Sequence, residues 1–293
     1  MSTPITLATF NCYWLYDNEE PLKRWEERLP DGGLAEKVEQ IASSIIAIGD
    51  EEGSPDIVAL QEVENEFVIE RLLVKLVELG HHYAHSWVSQ TLDPFTGQNV
   101  ALLSKYPATI EPIRRLDQTT QEYFDHHGRS RIGSLGKFLR VDVQVKQQVI
   151  SVYIAHLKSR RGGTQNSRYL REAQAQILRR YSRPRVEQGN NRSPSFVAMV
   201  GDFNDNPGST PLQIMQGERD PSYELRSATR DLSEEEQYTH TFGGEKTQLD
   251  HILLNLFADQ RTLAAGFTRI DDEISDHDAV WVRLDLDMEL EDD

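Results

Sequence analysis

The chain has 293 residues and carries 31 Lys and Arg against 48 Asp and Glu, a formal charge of −17. That length suits one large domain or two ordinary ones, and the acidic balance excludes non-specific polyanion binding through the overall field. A single cysteine, Cys12, excludes an internal disulfide, and no apolar run approaches the roughly 18 residues of a membrane span.

In chain order, Met1 to Phe10 lacks a charged region ahead of a long apolar core, which predicts no signal peptide and a cytoplasmic protein. Ile5 to Asn11 reads as a first strand, with Tyr13, Trp14 and Tyr16 packing in the loop after it. Leu34 to Ile48 has helical spacing, with Val38, Ile41, Ile45 and Ile48 on one face. Asp56 to Leu60 is a buried strand that ends in Gln61 and Glu62. Glu66 to Leu79 is a second helix, closed by Gly80. The histidines at 81, 82 and 85 come with no cysteine or HExxH pattern to make a zinc site.

Asn99 to Leu103 is a strand, and Phe138 to Val145 with Val149 to His156 form a hairpin whose turn lacks the favoured glycine. Asn166 to Tyr181 is a helix. Ser195 to Val200 is a buried strand leading into Gly201-Asp-Phe-Asn-Asp205, and alternation along an extended chain would turn Asp202 and Asn204 into one cleft. Gln248 to Leu254 and Ala279 to Leu286 are the late strands. No linker or repeat divides the chain. The expectation is one α/β domain over residues 1–293 with two sheets and an acidic tail at 287–293.

One stretch departs from the acidic background. Lys158 to Arg192 holds ten basic residues against Glu172 and Glu187, a local charge of +8 in a chain otherwise at −25. It reads either as a solvated helix face or as a phosphate-backbone track, with Arg183 to Arg192 expected as a flexible basic loop.

Polar groups recur where apolar runs end: Asn11, Gln61 with Glu62, His156, Asp202 with Asn204, Asp250 with His251, and the loop Ser275 to Asp278 before the last strand. Open α/β sheets place their sites at strand ends. The chemistry suits phosphodiester hydrolysis, which needs a cation at the phosphate, a base for water and donors for developing charge. Hard oxygen donors without cysteine favour Mg²⁺, with Mn²⁺ a possible substitute. Glu62 is the first expected ligand, with Asn11 beside it. His277 is the candidate base and Asp250 its orienting carboxylate; Asp276, pointing elsewhere, is a further metal candidate.

The ordered segments LQEVE (Leu60 to Glu64), ALLSKYP (Ala101 to Pro107), AHLKS (Ala155 to Ser159), GDFND, LDHIL (Leu249 to Leu253) and SDHD (Ser275 to Asp278) resemble the endonuclease/exonuclease/phosphatase superfamily. The resemblance spans Asn11 to His277. It implies a four-layer α/β/β/α sandwich with two packed mixed β-sheets, as in deoxyribonuclease I, and Mg²⁺-dependent cleavage of phosphoesters. It further implies that His156 contacts the scissile phosphate and that Asp202 and Asn204 orient water and phosphate. Arg131 resembles an arginine found in many members, with Arg129 a competitor. The segment from His156 through Gly163 resembles bacterial extracellular-type nucleases, which would set Lys158 and Arg160 near the phosphate. The substrate expected is a nucleic acid, DNA first, cut with low sequence specificity and with no membrane involved. The alternatives are a phosphatase or phosphodiesterase acting on a small or lipid phosphoester, and an inactive binding module. Phe95 is the one weak candidate for an exposed apolar loop.

Overall fold

Alternation along the strands sorts the apolar side chains into three separate cores, and that sorting builds the layers. The computed structural model describes residues 4–17, 32–49, 53–91, 96–160, 164–191, 195–217, 220 and 222–288. Phe95, Arg161, Arg192 and the end of the acidic tail at 289–293 lie outside the described residues.

The first half contributes β1 (Pro4–Leu15), α1 (Gly33–Ile46), β2 (Ile57–Val63), α2 (Glu66–Glu78), β3 (His85–Val88), β4 (Asn99–Ser104), β5 (Leu116–Phe124) and β6 (Ser130–Leu135). The second half contributes β7 (Phe138–Val145), β8 (Gln148–Ala155), α3 (Thr164–Asn191), β9 (Phe196–Asp202), α4 (Thr210–Gln216) and β10 (Leu225–Ser227). It closes with β11 (His240–Phe242), β12 (Glu245–Thr247), β13 (Asp250–Asn255), α5 (Leu256–Asp259), β14 (Thr262–Thr268) and β15 (Ala279–Asp285).

A six-stranded sheet runs in the order β14-β15-β1-β2-β4-β3, and a five-stranded sheet in the order β10-β13-β9-β8-β7. Each mixes one parallel pair, β1 with β2 and β8 with β9, among antiparallel neighbours. The N- and C-terminal strands pair, so both ends of the chain share the larger sheet. Between the sheets, Ile5, Leu7, Ile57 and Ala59 face Val152, Ile154, Ala198, Val200 and Ile252. The alternate residues Ala8, Phe10, Val58 and Leu60 face outward onto Val38, Ile41, Ile45 and Leu72 of α1 and α2. On the other side Tyr153, Val197, Met199 and Leu253 pack beneath Ile177 and Leu178 of α3 and Leu212 and Met215 of α4. The result is the expected α/β/β/α sandwich. Each fully buried Leu, Ile, Val or Phe contributes about 1.5–3 kcal/mol, so the three apolar layers are the main holding force.

Several local expectations need correction. The β7–β8 turn closes on Lys146 and Gln147, because Lys146 adopts φ 53°, the left-handed conformation that a glycine would supply. Basic residues 183–191 are not a loop: α3 runs through Pro184 to Asn191. Val186 is fully buried there, Arg183 pairs with Glu187 one turn on, and Arg183 and Arg179 both reach Asp220 at 2.5 and 2.7 Å. Seven strands, β3, β5, β6, β10, β11, β12 and β14, lie in stretches where no strand was expected. They are short, edge-lying or half-exposed, so their apolar patterns are weak. Among the described residues no helix is long and apolar enough to cross a membrane.

Candidate active site

The inter-sheet core ends in polar groups at one edge, and parity explains which ones. Ile5, Leu7, Thr9 and Asn11 share a face of β1, so Asn11 continues the inter-sheet row. On β8 the row Ile150, Val152, Ile154 continues to His156, one residue past the strand. Phe196, Ala198 and Val200 continue to Asp202, and Leu254 and Ile252 lead back to Asp250, which sits directly opposite Asp202 across the β9–β13 pair. His251, of opposite parity, turns away, stacks on Phe203 and bonds the Asp205 carbonyl at 2.9 Å.

Two residues reach the site by breaking alternation. Glu62 would follow Val58 and Leu60 into the outer core, but it lies at an irregularity in β2 with φ 59°. That left-handed turn redirects its carboxylate. Asn204 also has φ 53°, so it reaches the site past the strand end by a left-handed turn and not by strand alternation. Its backbone N–H donates to Asp202 Oδ1 at 2.9 Å and its amide to the Leu157 carbonyl at 3.1 Å. Gly201 precedes them at φ 136°, where an added Cβ would lie 2.1 Å from the Ala155 carbonyl oxygen. Gly201→Ala should lower stability by about 2 kcal/mol or more through strain and overpacking, read as a loss of Tm in thermal unfolding.

The central contact is His277 Nδ1 to Asp250 Oδ2 at 2.7 Å. Asp202 is wedged between elements: Asn11 Nδ2 donates to it at 3.1 Å, and His156 Nε2 lies 3.5 Å away. Ser275 Oγ donates to the Asn11 carbonyl at 2.7 Å and accepts from the His277 N–H at 3.1 Å, tying the first strand to the last loop. Burial pushes the Asp202 carboxyl up to about 7, reinforced by Asp250 and resisted by His277. Burial raises Glu62 as well, against the pull of Lys137 and His277. His156 is held well below the ordinary imidazole value by burial and then by Lys137, His277 and Lys158, so it stays neutral. His277 goes the other way. Burial disfavours its charge, but Asp250, Asp202 and Asp276 outweigh that and hold it well above the ordinary value.

Glu62 Oε2 and Asp250 Oδ1 are buried oxygens with no hydrogen-bond partner among the described residues. Such orphaned acceptors beside Asp202 are what a hard divalent cation satisfies, so the donor set fits the metal expected of it. Two groups bring ligand atoms within 4.8 Å of one another: Asp202, Asp250 and His277, and His240, Asp276 and His277.

The expected cations, Arg131, Arg160 and Lys158, differ in their surroundings. Arg131 lies on the exposed β5–β6 hairpin, ion-paired with Asp125 at 3.1 Å. Arg160 donates to the Asn204 carbonyl and to Asp205 Oδ1, both at 3.0 Å, and so braces the turn that carries Asn204. Lys158 is exposed, with its N–H held by Gln174 at 2.9 Å. Two arginines at the start of α3 are engaged by protein groups: fully buried Arg171 bonds Asp205 and the Lys158 carbonyl, and exposed Arg168 bonds Glu172 and Thr210. They do not form a phosphate track.

Three residues escaped the sequence reading. Lys137, just before β7, is the cation acting on both Glu62 and His156. Lys37, buried on α1, donates to the Ile274 carbonyl at 2.5 Å and so holds the loop leading to His277. His240, on the β11–β12 hairpin, lies 5.1 Å from the His277 ring and 3.9 Å from Asp276. None belongs to a motif; His240 carried the one usable signal, as a histidine three residues ahead of the Gly243-Gly244 turn.

The endonuclease/exonuclease/phosphatase family matches residues 6–278, nearly the whole chain. The chain belongs to that family. It is accordingly a metal-dependent hydrolase of phosphoesters. No curated protein sequence matches it. Solved structures share its fold at low identity. Truncated TDP2 of Caenorhabditis elegans is 18% identical, with TM-score 0.58, over 96% of this chain and 97% of that one. An endonuclease/exonuclease/phosphatase of Beutenbergia cavernae is 20% identical, with TM-score 0.62, over 97% of this chain and 72% of that one. A Staphylococcus aureus beta toxin variant with bound magnesium ions is 15% identical, with TM-score 0.58, over 96% and 99%.

Proposed function

We propose that this family member is a Mg²⁺-dependent phosphodiesterase whose preferred substrate is DNA, cut without strong sequence preference. The observation that carries the reading is the 2.7 Å contact of His277 with Asp250, set beside Asp202 and the orphaned Glu62 oxygen. A bound divalent cation would screen the phosphate and offset the carboxylates that keep a proton on His277. Glu62, with Asn11 beside it and Asp276 opposite, would hold that cation. His277 would then take the proton of the attacking water, with Asp250 fixing its tautomer. Neutral His156 and the Asn204 amide would donate to the phosphate oxygens, and Lys137 and Lys158 would supply positive charge at the rim.

Lys137 and Lys158, which act on His156, suit the phosphate of either substrate; DNA is favoured over a lipid on the resemblance of His156 through Gly163 to bacterial extracellular-type nucleases. One feature supports the second reading, a lipid phosphodiester: Phe242, at the β11–β12 hairpin tip, is 80% exposed. Supercoiled plasmid, sphingomyelin vesicles and an inositol phosphate assayed side by side with Mg²⁺ decide between them. Nicking of plasmid at rates well above vesicle or inositol phosphate turnover is expected; faster vesicle hydrolysis would replace the DNA reading.

The raised Asp202 gives a second test. Its folded carboxyl holds a proton more tightly than the unfolded chain does. Its contribution to stability is therefore complete below the unfolded value of 3.8 and lost as pH rises through about 7. A cation occupying the site replaces that proton. The Tm increase caused by Mg²⁺ should therefore grow from about pH 5 to about pH 8, and Asp202→Asn should flatten the trend. A pH-independent Mg²⁺ shift would remove Asp202 from the cation's surroundings.

A further inference from the structure

Outside the catalytic edge, a cavity lies on the far side of the smaller sheet, between the outer edge of β7–β8 and the C-terminal half of α3. Its volume is about 510 Å³, and its lining includes Arg140, Tyr153, Arg180, Tyr181, Pro184 and Arg185. That volume falls in the roughly 300–1,000 Å³ range of small-molecule sites. Tyr153 faces the outer core, of opposite parity to the row that ends in His156, so β8 itself separates this cavity from the catalytic centre.

Three features make it a built site. First, the Tyr153 side chain is fully buried, yet its hydroxyl has no hydrogen-bond partner among the described residues. Arg140, Asp142, Tyr181 and Arg185 are the groups that act on that hydroxyl, and Arg140, Tyr181 and Arg185 line the cavity with it. A buried hydroxyl without a partner is destabilising, a cost a ligand acceptor would remove. Second, three guanidinium groups line the cavity, and two of them meet the Asp142 carboxylate. Arg140 grips Asp142 at 3.1 and 2.6 Å, and Arg185 touches the same carboxylate at 3.4 Å. Arg180 spends its described bonds on the Thr120 carbonyl and Gln121 Oε1. The surplus is two positive charges in a chain of −17. Third, Pro184 lies inside α3 four residues after Arg180. Having no N–H, it leaves the Arg180 carbonyl without its usual helical donor at the cavity wall.

We propose that this cavity binds a small phosphate monoester of nucleotide size, with its phosphate on Arg185 and the Tyr153 hydroxyl and its flat group against Tyr181. A phosphate monoester carries about −1.5 to −2 at neutral pH and several acceptor oxygens, matching the surplus charge and the idle donor together. Tyr181 offers a ring already set edge-on to Phe138 and Tyr153 at 5.5 and 6.1 Å. The proposal is independent of which phosphoester the catalytic centre cleaves.

Crystals of the full chain soaked in sodium tungstate test it directly. Anomalous scattering should place tungsten within hydrogen-bonding reach of Tyr153 Oη and Arg185, and Arg185→Gln should abolish that peak while any tungsten at the catalytic centre stays. Calorimetry with adenosine 5′-monophosphate should give binding at least about tenfold tighter than inorganic phosphate, weakened about tenfold or more by Arg185→Gln and unchanged by His277→Ala. In phosphate-free buffer, Tyr153→Phe should leave Tm level or raised, because it removes an idle buried hydroxyl. An empty cavity in crystals whose catalytic centre holds tungstate would overturn the proposal. So would equal nucleotide affinity in Arg185→Gln, or a Tm loss of more than about 3 °C in Tyr153→Phe.

Discussion

His277→Ala is expected to lower kcat for phosphodiester cleavage by about 10²–10⁴-fold while the protein stays folded. The imidazole sits 2.7 Å from Asp250 and is 7% exposed, at the edge of the inter-sheet core and outside its apolar packing. Removing it deletes the group that accepts the water's proton and leaves the three apolar layers intact. Asp250→Asn should cost a similar factor, because an amide in place of the carboxylate no longer fixes the tautomer or stabilises the charged ring. The two losses should not add: the double variant should be about as slow as the slower single variant, since base and partner act as one unit. Steady-state rates on a phosphodiester, with circular dichroism as the control for folding, make the measurement. A near-normal rate in His277→Ala would hand the base to another group, with His240 the nearest imidazole.

Glu62→Gln is expected to weaken apparent Mg²⁺ affinity by at least the roughly 10–100-fold that even outer-shell partners of a metal site contribute. Glu62 Oε2 is a buried acceptor without a hydrogen-bond partner among the described residues, and burial raises the carboxyl. A carboxylate in that position is strained electrostatically until a cation neutralises it. The neutral amide is a poorer ligand for a hard ion, and it relieves the same strain in the metal-free protein. The variant should therefore show a higher Mg²⁺ requirement in rate titrations together with an equal or higher Tm without metal. An unchanged Mg²⁺ titration would place the ion away from Glu62.

Much of the sandwich was readable from local chemistry. The first strand, the first two helices, the β7–β8 pair, the strand before Asp202 and the last strand were all expected close to where they lie, since each is buried on at least one face and so shows strong periodicity. The half-exposed hairpin carrying His240 was not, because its three-residue strands leave no pattern to detect. Arg131 was expected at the phosphate from the family resemblance and Arg160 as a neighbour of His156; their ion pairs with Asp125 and Asp205 could only be seen in the folded chain.

Local sequence was enough to say that polar residues cap buried strands, and that acids, amides and histidines without thiols suit a hard cation and a phosphate. It was also enough to exclude a disulfide within the chain and to show no apolar run as long as a membrane-spanning helix. Only the packing of two sheets decided that residues as distant as Asn11 and Ser275 share a hydrogen bond, that Glu62 and Asn204 turn inward through positive φ, and that Lys37 and Lys137 supply the nearby charge. Periodicity is a property of neighbours along the chain. The side on which a strand end opens, and which charges it meets there, depends on strands brought together from both ends of the polypeptide.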